Sequence, residues 1–190
     1  ISCNAAISAC EKSGQWQFAI VLLDSAVEQR ISPTVISYSA AISACGKGGQ
    51  WQVALAALDS MRQQRVLPNT VSYNAAIGAC GKGGQWQVAL SVFTSMLGLQ
   101  LTPDALSCSA AMTACEKGAQ WQCAIALLGS MQQLQVLPDL VCHSAVISAC
   151  EKGGEWQRAL AVFQSLRRLE LTPDVVVSSA AISACEKGGQ

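Results

Sequence analysis

A tryptophan recurs every 35 residues along this chain, and a proline recurs with the same period. The two series are Trp16, Trp51, Trp86, Trp121 and Trp156, and Pro33, Pro68, Pro103, Pro138 and Pro173. A fixed period of this length is the signature of a repeat protein, in which each unit is one supersecondary element. The chain is therefore predicted to be an array of short units and not a domain with one central core.

The register that fits both series defines the units. They are predicted to cover residues 1–34, 35–69, 70–104, 105–139, 140–174 and, as a partial unit, 175–190, in a single array over 1–190. The first unit lacks its opening residue, and the last stops about halfway. We therefore expect this segment to belong to a longer protein.

Each unit is predicted to form two α-helices. In the second unit, residues 36–47 are small and apolar, and Gly48 and Gly49 follow them as a C-terminal stop. A second helix is predicted from about Gln50, and Pro68 closes the unit because it disfavours helical geometry in the residue before it. The apolar stripe of this second helix is Trp51, Ala54, Leu55, Leu58 and Met61.

The distribution of apolar residues predicts how the helices pack. The first helix of each unit is apolar on most sides, so neighbours must enclose it, whereas the second has one polar face and lies outside. Hydrophobic residues make up 51% of the chain and charged residues 13%, which excludes a disordered tail. No apolar run reaches the length of a membrane span. The fold class predicted is all-α, an α-solenoid stabilised by stacking of its units.

The ten cysteines follow the repeat, which argues against disulfides and metal sites. Six of them occupy one repeat position: Cys10, Cys45, Cys80, Cys115, Cys150 and Cys185. Stacked helices lie roughly 8–10 Å apart, farther than the span of about 7 Å that a disulfide allows between Cα atoms. No CxxC pair occurs, and the single histidine, His143, cannot complete a zinc cage. We expect reduced core thiols in a reducing compartment, and no metal or cofactor.

The sequence shows no catalytic constellation. Serines are plentiful, but no base accompanies them, and no acidic pair or phosphate-binding glycine motif is present. The tryptophans lie on the apolar stripe of the second helix, so core packing is expected of them. His143 stands where other units carry Tyr38, Tyr73 or Cys108 and is interpreted as a packing residue. We do not expect this segment to be an enzyme.

The repeat resembles one known family closely. Residues 71–96 have the sequence VSYNAAIGACGKGGQWQVALSVFTSM, and residues 101–104 are LTPD. These segments resemble the pentatricopeptide repeat, which likewise has an aromatic residue followed by Asn, a Lys-Gly turn, Ala-Leu in the second helix, a Met and a terminal Pro-Asp. The period of 35 distinguishes the array from tetratricopeptide repeats, which have about 34 residues. The resemblance covers the whole chain, five times over plus a half unit.

The resemblance implies a function as well as a fold. Members of the family form a right-handed superhelix that binds single-stranded RNA along the first helices, about one base per unit. They act in RNA processing, stabilisation or editing in a mitochondrion or plastid. The alternative is a protein- or peptide-binding scaffold that uses the same concave face. The ends of the array are also expected to contact other protein domains or chains.

In the family, the fifth and last residues of each unit select the base. The corresponding base-reading pairs are Asn4/Thr34, Ser39/Asn69, Asn74/Asp104, Ser109/Asp139 and Ser144/Asp174. By the family's correspondence the last four specify 5′-AUGG-3′, and short polar side chains suit the exposed edge of an unpaired base. Both positions also fit simpler roles: the last residue precedes a helix and suits an N-cap, and the fifth could simply pack between helices.

Two further sets of residues complete the implied site. The apolar second residues would wedge bases between units: Ile1, Ile36, Val71, Leu106, Val141 and Val176. The residues implied to contact phosphates, called here the lysine stripe, are Lys12, Lys47, Lys82, Lys117, Lys152 and Lys187. These are all the lysines in the chain, each at the end of a first helix, where a cation also favours the helix dipole.

The charge balance of the chain argues against strong binding to RNA. The formal net charge is zero, whereas nucleic-acid modules are usually basic. The glutamates adjacent to the stripe partly cancel its charge: Glu11, Glu116, Glu151 and Glu186. With up to six phosphate contacts, log K against log salt would slope at most about −4.

Overall fold

The computed structural model describes residues 3–29 and 31–189, and in that part of the chain all regular structure is α-helical. The helices are α1 (Cys3–Ser13), α2 (Trp16–Glu28), α3 (Val35–Lys47), α4 (Trp51–Gln63), α5 (Thr70–Lys82), α6 (Trp86–Gly98), α7 (Ala105–Lys117), α8 (Trp121–Gln133), α9 (Leu140–Lys152), α10 (Trp156–Arg168) and α11 (Val175–Lys187). The predicted all-α helical-repeat fold is confirmed.

Each first helix begins and ends with its own local signals, as α5 illustrates. Asn69 has extended backbone and its side-chain oxygen accepts the Ser72 N–H, which satisfies one of the free donors of the first turn. At the other end Gly84 has a φ of 71°, and the Gln85 N–H donates to the Cys80 carbonyl at 2.9 Å. This bond closes a Schellman turn that leads directly into α6.

The chain forms two compact units, one ending at Leu101 and the other beginning at Thr102. In the first, α3 lies between α1 and α5, and in the second, α9 lies between α7 and α11. Helices enclosed on two sides must be apolar nearly all round, and Tyr38, Ile42 and Cys45 of α3 are fully buried. The first helices therefore form the inner layer, as their sequences predict.

Within each compact unit, the second helices pack against this layer. Helix α4 contacts α3 of its own repeat and α5 of the next. Its Ala54 and Met61 are fully buried, whereas Asp59 and Gln63 are exposed. The predicted apolar stripe is therefore the packed face of the helix.

The tryptophans pack between repeats, as expected. Trp51 is half-buried and lies against Gly83, at the end of the next first helix: a Cβ on Gly83 would be 2.5 Å from the indole Cδ1. The same contact recurs between Trp16 and Gly48, Trp121 and Gly153, and Trp156 and Gly188. At these four junctions the glycine that follows the lysine thus makes room for the preceding repeat's indole ring.

All ten cysteines are free thiols, and burial separates them into two groups. The buried group is Cys45, Cys80, Cys108, Cys115, Cys142 and Cys150. Desolvation raises the pKa of Cys80 to about 11 and that of Cys115 to about 12, so these thiols stay protonated at neutral pH.

This division predicts how many thiols react in the folded protein. A disulfide reagent at neutral pH should modify only the half-buried cysteines, because attack requires both access and thiolate. These are Cys3, Cys10, Cys123 and Cys185. Colorimetric titration should count four thiols in the native protein and ten after denaturation. Rapid modification of all ten without denaturant would contradict the buried assignment.

His143 is a packing residue, as predicted. It is buried in α9, and its Nδ1 lies 2.9 Å from the Asp139 carbonyl oxygen, to which an Nδ1–H would donate. Within residues 3–29 and 31–189 no cluster of histidine, cysteine or carboxylate side chains is suited to hold a metal ion. None of the described helices is long and apolar enough to cross a membrane.

Candidate functional site

A cleft between consecutive repeats brings one complete base-reading pair together. In the second compact unit, Ser144 and Asp174 line a cavity of about 210 Å³. The two wedge residues Val141 and Val176 line the same cavity. Two polar side chains and two apolar ones thus face a single open space at the junction of α9 and α11. The arrangement offers hydrogen-bonding groups for the edge of a flat ligand and apolar surface for its faces.

The last residue of each repeat is an exposed N-cap. The Oδ1 atom of Asp104 accepts the Ser107 N–H at 2.8 Å, that of Asp139 accepts the Cys142 N–H at 2.9 Å, and that of Asp174 accepts the Val177 N–H at 2.8 Å. Asn69 caps α5 in the same way. Thr34 begins α3 in a capping box, in which its N–H donates to the Ser37 hydroxyl at 3.0 Å, as the Asp104 N–H donates to the Ser107 hydroxyl at 3.1 Å. The N-cap role is thus confirmed for the aspartates and Asn69, and each capping bond uses one side-chain oxygen.

The fifth residues lie deeper than the last ones. Ser39, Asn74 and Ser109 are each only 8% exposed, while Asn4 and Ser144 are half-buried. An almost buried polar group needs a hydrogen-bond partner. A ligand could reach only a small part of Ser39, Asn74 and Ser109.

Ser39 is connected to its paired residue through one intervening side chain. Its hydroxyl lies 2.9 Å from the Ser72 hydroxyl, which in turn donates to Asn69 Oδ1 at 3.1 Å. Because Ser72 has one hydroxyl proton and gives it to Asn69, Ser39 must donate to Ser72. The Ser39 oxygen then keeps a free lone pair, and the amide of Asn69 keeps its Nδ2 donors.

The first pair is in direct contact. Asn4 Nδ2 donates to Thr34 Oγ1 at 3.2 Å, and the Ser37 hydroxyl donates to Asn4 Oδ1. In the second compact unit, Ser109 instead donates to the Leu106 carbonyl at 3.1 Å. The residues three after Asp139 and Asp174 are Cys142 and Val177, which offer no hydroxyl as a bridge.

The predicted wedge residues are exposed although they are apolar. Ile36, Val71, Leu106, Val141 and Val176 are between 57% and 63% exposed. Ile1 lies outside the described residues. Five large apolar side chains at one repeat position, each left uncovered, form a periodic series that core packing does not account for.

The lysine stripe is exposed throughout, but three of its members are engaged in ion pairs between repeats. The pairs join Lys47 to Glu11 at 3.2 Å, Lys152 to Glu116 at 2.9 Å and Lys187 to Glu151 at 2.8 Å. Each lysine binds the glutamate 36 residues earlier, on the preceding first helix, and Lys152 and Lys187 do so although each has a glutamate next to it in its own helix.

Sequence reasoning did not identify two features of this surface. Glu116 and Thr113 line the same cleft as Ser144, and the Ser37 and Ser72 hydroxyls contact the base-reading residues. For Glu116, the sequence did carry a signal: it lies 36 residues before Lys152, its ion-pair partner. The serines could have been found from their place two residues before the fifth position.

These stacked first helices, with a periodic polar and apolar series along them, define a helical-repeat protein of the solenoid class. A family model described as PPR repeat family matches residues 68–117, and one described as pentatricopeptide repeat domain matches residues 1–48, 47–83 and 126–187. The second covers more than half of the chain, so the chain belongs to the pentatricopeptide repeat family. No curated protein sequence matches the chain.

Solved structures share the fold at low sequence identity. The PPR domain of Arabidopsis thaliana protein-only RNase P 1, in complex with tRNA, is 15% identical with a TM-score of 0.81, and the match covers 97% of this chain and all of that one. The maize protein PPR10, in complex with an 18-nt psaJ RNA element, is 24% identical with a TM-score of 0.78. That match covers 95% of this chain but 26% of PPR10.

A third similar structure is nuclear proteinaceous RNase P 2 from A. thaliana, at 14% identity and a TM-score of 0.81. The match covers 98% of this chain and 42% of that protein. This chain thus spans less than half the length of two of these three structures. Likeness at these identities concerns the fold.

Proposed function

We propose that this chain binds single-stranded RNA along its first helices, with about one base per repeat. The cleft that combines Ser144, Asp174, Val141 and Val176 carries this proposal. A nucleobase has a polar edge and two apolar faces, and these four side chains match that combination. Two of the similar structures are complexes with RNA. The proposed setting is RNA processing, stabilisation or editing in a mitochondrion or plastid.

The hydrogen bonds around Ser39 and Asn69 suit adenine. Ser39 keeps an acceptor lone pair, and Asn69 keeps amide donors, because its oxygen is already bound by Ser72. The pairing edge of adenine offers an amino donor and a ring-nitrogen acceptor, which complement those two groups.

The pair Ser109 and Asp139 suits guanine instead. The Ser109 hydroxyl donates to Leu106, so its lone pairs face a ligand only as acceptors. Asp139 uses one carboxylate oxygen as the cap and has the second as another acceptor. The pairing edge of guanine carries an amino and an imino N–H, both donors. Taken in order along the chain, the four pairs from Ser39/Asn69 to Ser144/Asp174 correspond to the proposed RNA sequence 5′-AUGG-3′.

Selection from a random pool tests this function. The protein should retain single-stranded RNA in preference to duplex RNA and enrich sequences containing AUGG. Each correct base should contribute roughly 1–3 kcal/mol, and ordering of the strand offsets part of this, so we expect affinity in the micromolar range. A pool that stays unenriched after repeated rounds, combined with capture of a peptide library, would instead support a protein-binding scaffold.

A further inference from the structure

The glutamates that bridge repeats are held in defined positions. The Ser43 hydroxyl donates to Glu11 Oε1 at 2.8 Å, and Ser183 donates to Glu151 Oε1 at the same distance. The hydrogen bond from Lys187 lowers the pKa of Glu151, so this carboxylate is charged at neutral pH. The lysine bound to such a glutamate therefore adds no net charge to the surface.

Two lysines of the stripe, Lys82 and Lys117, have no glutamate at the same spacing. The residue 36 positions before Lys82 is Gly46, and the residue 36 positions before Lys117 is Gly81. Neither lysine forms an ion pair within residues 3–29 and 31–189.

Helix packing bears on the absence of a carboxylate opposite Lys82. A Cβ on Gly46 would lie 3.0 Å from the Cβ of Ala79 and 3.2 Å from its Cα. A larger side chain at Gly46 would therefore require helices α3 and α5 to move apart by a few tenths of an ångström. The glycine leaves Lys82 without a partner carboxylate on the preceding first helix.

We propose that, of the lysines from Lys47 onward, only Lys82 in the first compact unit and Lys117 in the second form the effective phosphate track, and that Glu11, Glu116 and Glu151 suppress phosphate binding by the lysines they pair with. This inference rests on the proposed RNA-binding function and specifies where the backbone is gripped. A phosphate gains affinity by releasing its condensed counterions to a cationic group, and a neutral Lys–Glu pair releases few. The magnitude of the salt slope should then be at most about 2, even with Lys12 counted, and not about 4 as for six contacts.

The Glu116–Lys152 pair offers the sharpest test, because Glu116 lines the cleft that holds Ser144 and Asp174. Glu116→Gln keeps the size of the side chain while releasing Lys152. It should tighten binding about fivefold at 0.1 M salt and steepen the slope by about 0.7. Lys82→Gln should do the opposite, by a similar factor.

The matched control is the double variant Glu116→Gln with Lys152→Gln, which removes two charges without changing their sum. Its salt slope should equal that of the wild type. The measurement is fluorescence anisotropy of a labelled single-stranded RNA carrying 5′-AUGG-3′ between adenosine flanks, titrated at several salt concentrations. Circular dichroism checks that each variant is folded. If the double variant at Glu116 and Lys152 unfolds, the double variant Glu151→Gln with Lys187→Gln serves as the control instead.

The outcomes separate the two proposals. If the double variant flattens the slope as much as Lys82→Gln does, all lysines contact phosphate alike and the restricted track is wrong. If Lys82→Gln leaves the slope unchanged while the wild type still binds, the stripe does not contact phosphate. If the wild-type protein binds no RNA at any salt concentration, the proposed function itself fails and this inference fails with it.

Discussion

Replacing Asp139 with Asn should convert the base preferred by one repeat from guanine to adenine while leaving the helix cap intact. The asparagine oxygen can still accept the Cys142 N–H, as Asn69 accepts the Ser72 N–H in another repeat. The second carboxylate oxygen, an acceptor for guanine, becomes an amide donor for adenine. With roughly 1–3 kcal/mol per well-formed base contact, the relative preference should change about tenfold or more.

The measurement is competition among four RNAs that differ only in the base at the position of this repeat. Asp174→Asn is the matched control: it keeps its own cap to Val177 and should change only the next base. Thermal unfolding of both variants should match the wild type, because Asn and Asp are similar N-caps. If Asp139→Asn keeps the wild-type preference at every position, Asp139 is a cap alone and the base-reading assignment fails.

Adding one methyl group at Gly83 should destabilise the array markedly. In Gly83→Ala the new Cβ would lie 2.5 Å from Cδ1 and 3.0 Å from Cγ of Trp51, so the indole ring or the turn must move. Overpacking of this kind costs about 1–3 kcal/mol. Backbone conformation is not the reason, because Gly83 has a φ of −76°, which any residue adopts.

Gly78→Ala provides the matched control on the same helix. No atom lies within 4 Å of a Cβ placed there, so alanine should stabilise α5 by up to about 1 kcal/mol through its helix propensity. Urea unfolding followed by circular dichroism should move the two midpoints in opposite directions. Combining Gly83→Ala with Trp51→Phe should recover part of the loss, because a smaller ring leaves room. Equal urea midpoints for the two alanine variants would show that the indole ring of Trp51 moves aside without a cost in stability.

The sequence determined the helices and their buried faces because those signals are local. The stripe through Trp51, Leu58 and Met61 has the helical period, and the Gly48-Gly49 pair ends α3 through turn chemistry that involves neighbouring residues only. The N-cap function of Asp139 and Asp174 could also be predicted from position alone. The assignment of bases to these residues stays a prediction.

Tertiary structure decided which groups meet across repeats. The sequence places Glu116 beside Lys117, yet the ion pair is with Lys152, because residues adjacent in a helix point about 100° apart while stacking brings successive first helices together. Burial of Ser39 and its bond to Ser72 likewise depend on the neighbouring helix. The repeat period states that such contacts recur every 35 residues, but the distance and angle between stacked helices select the partners.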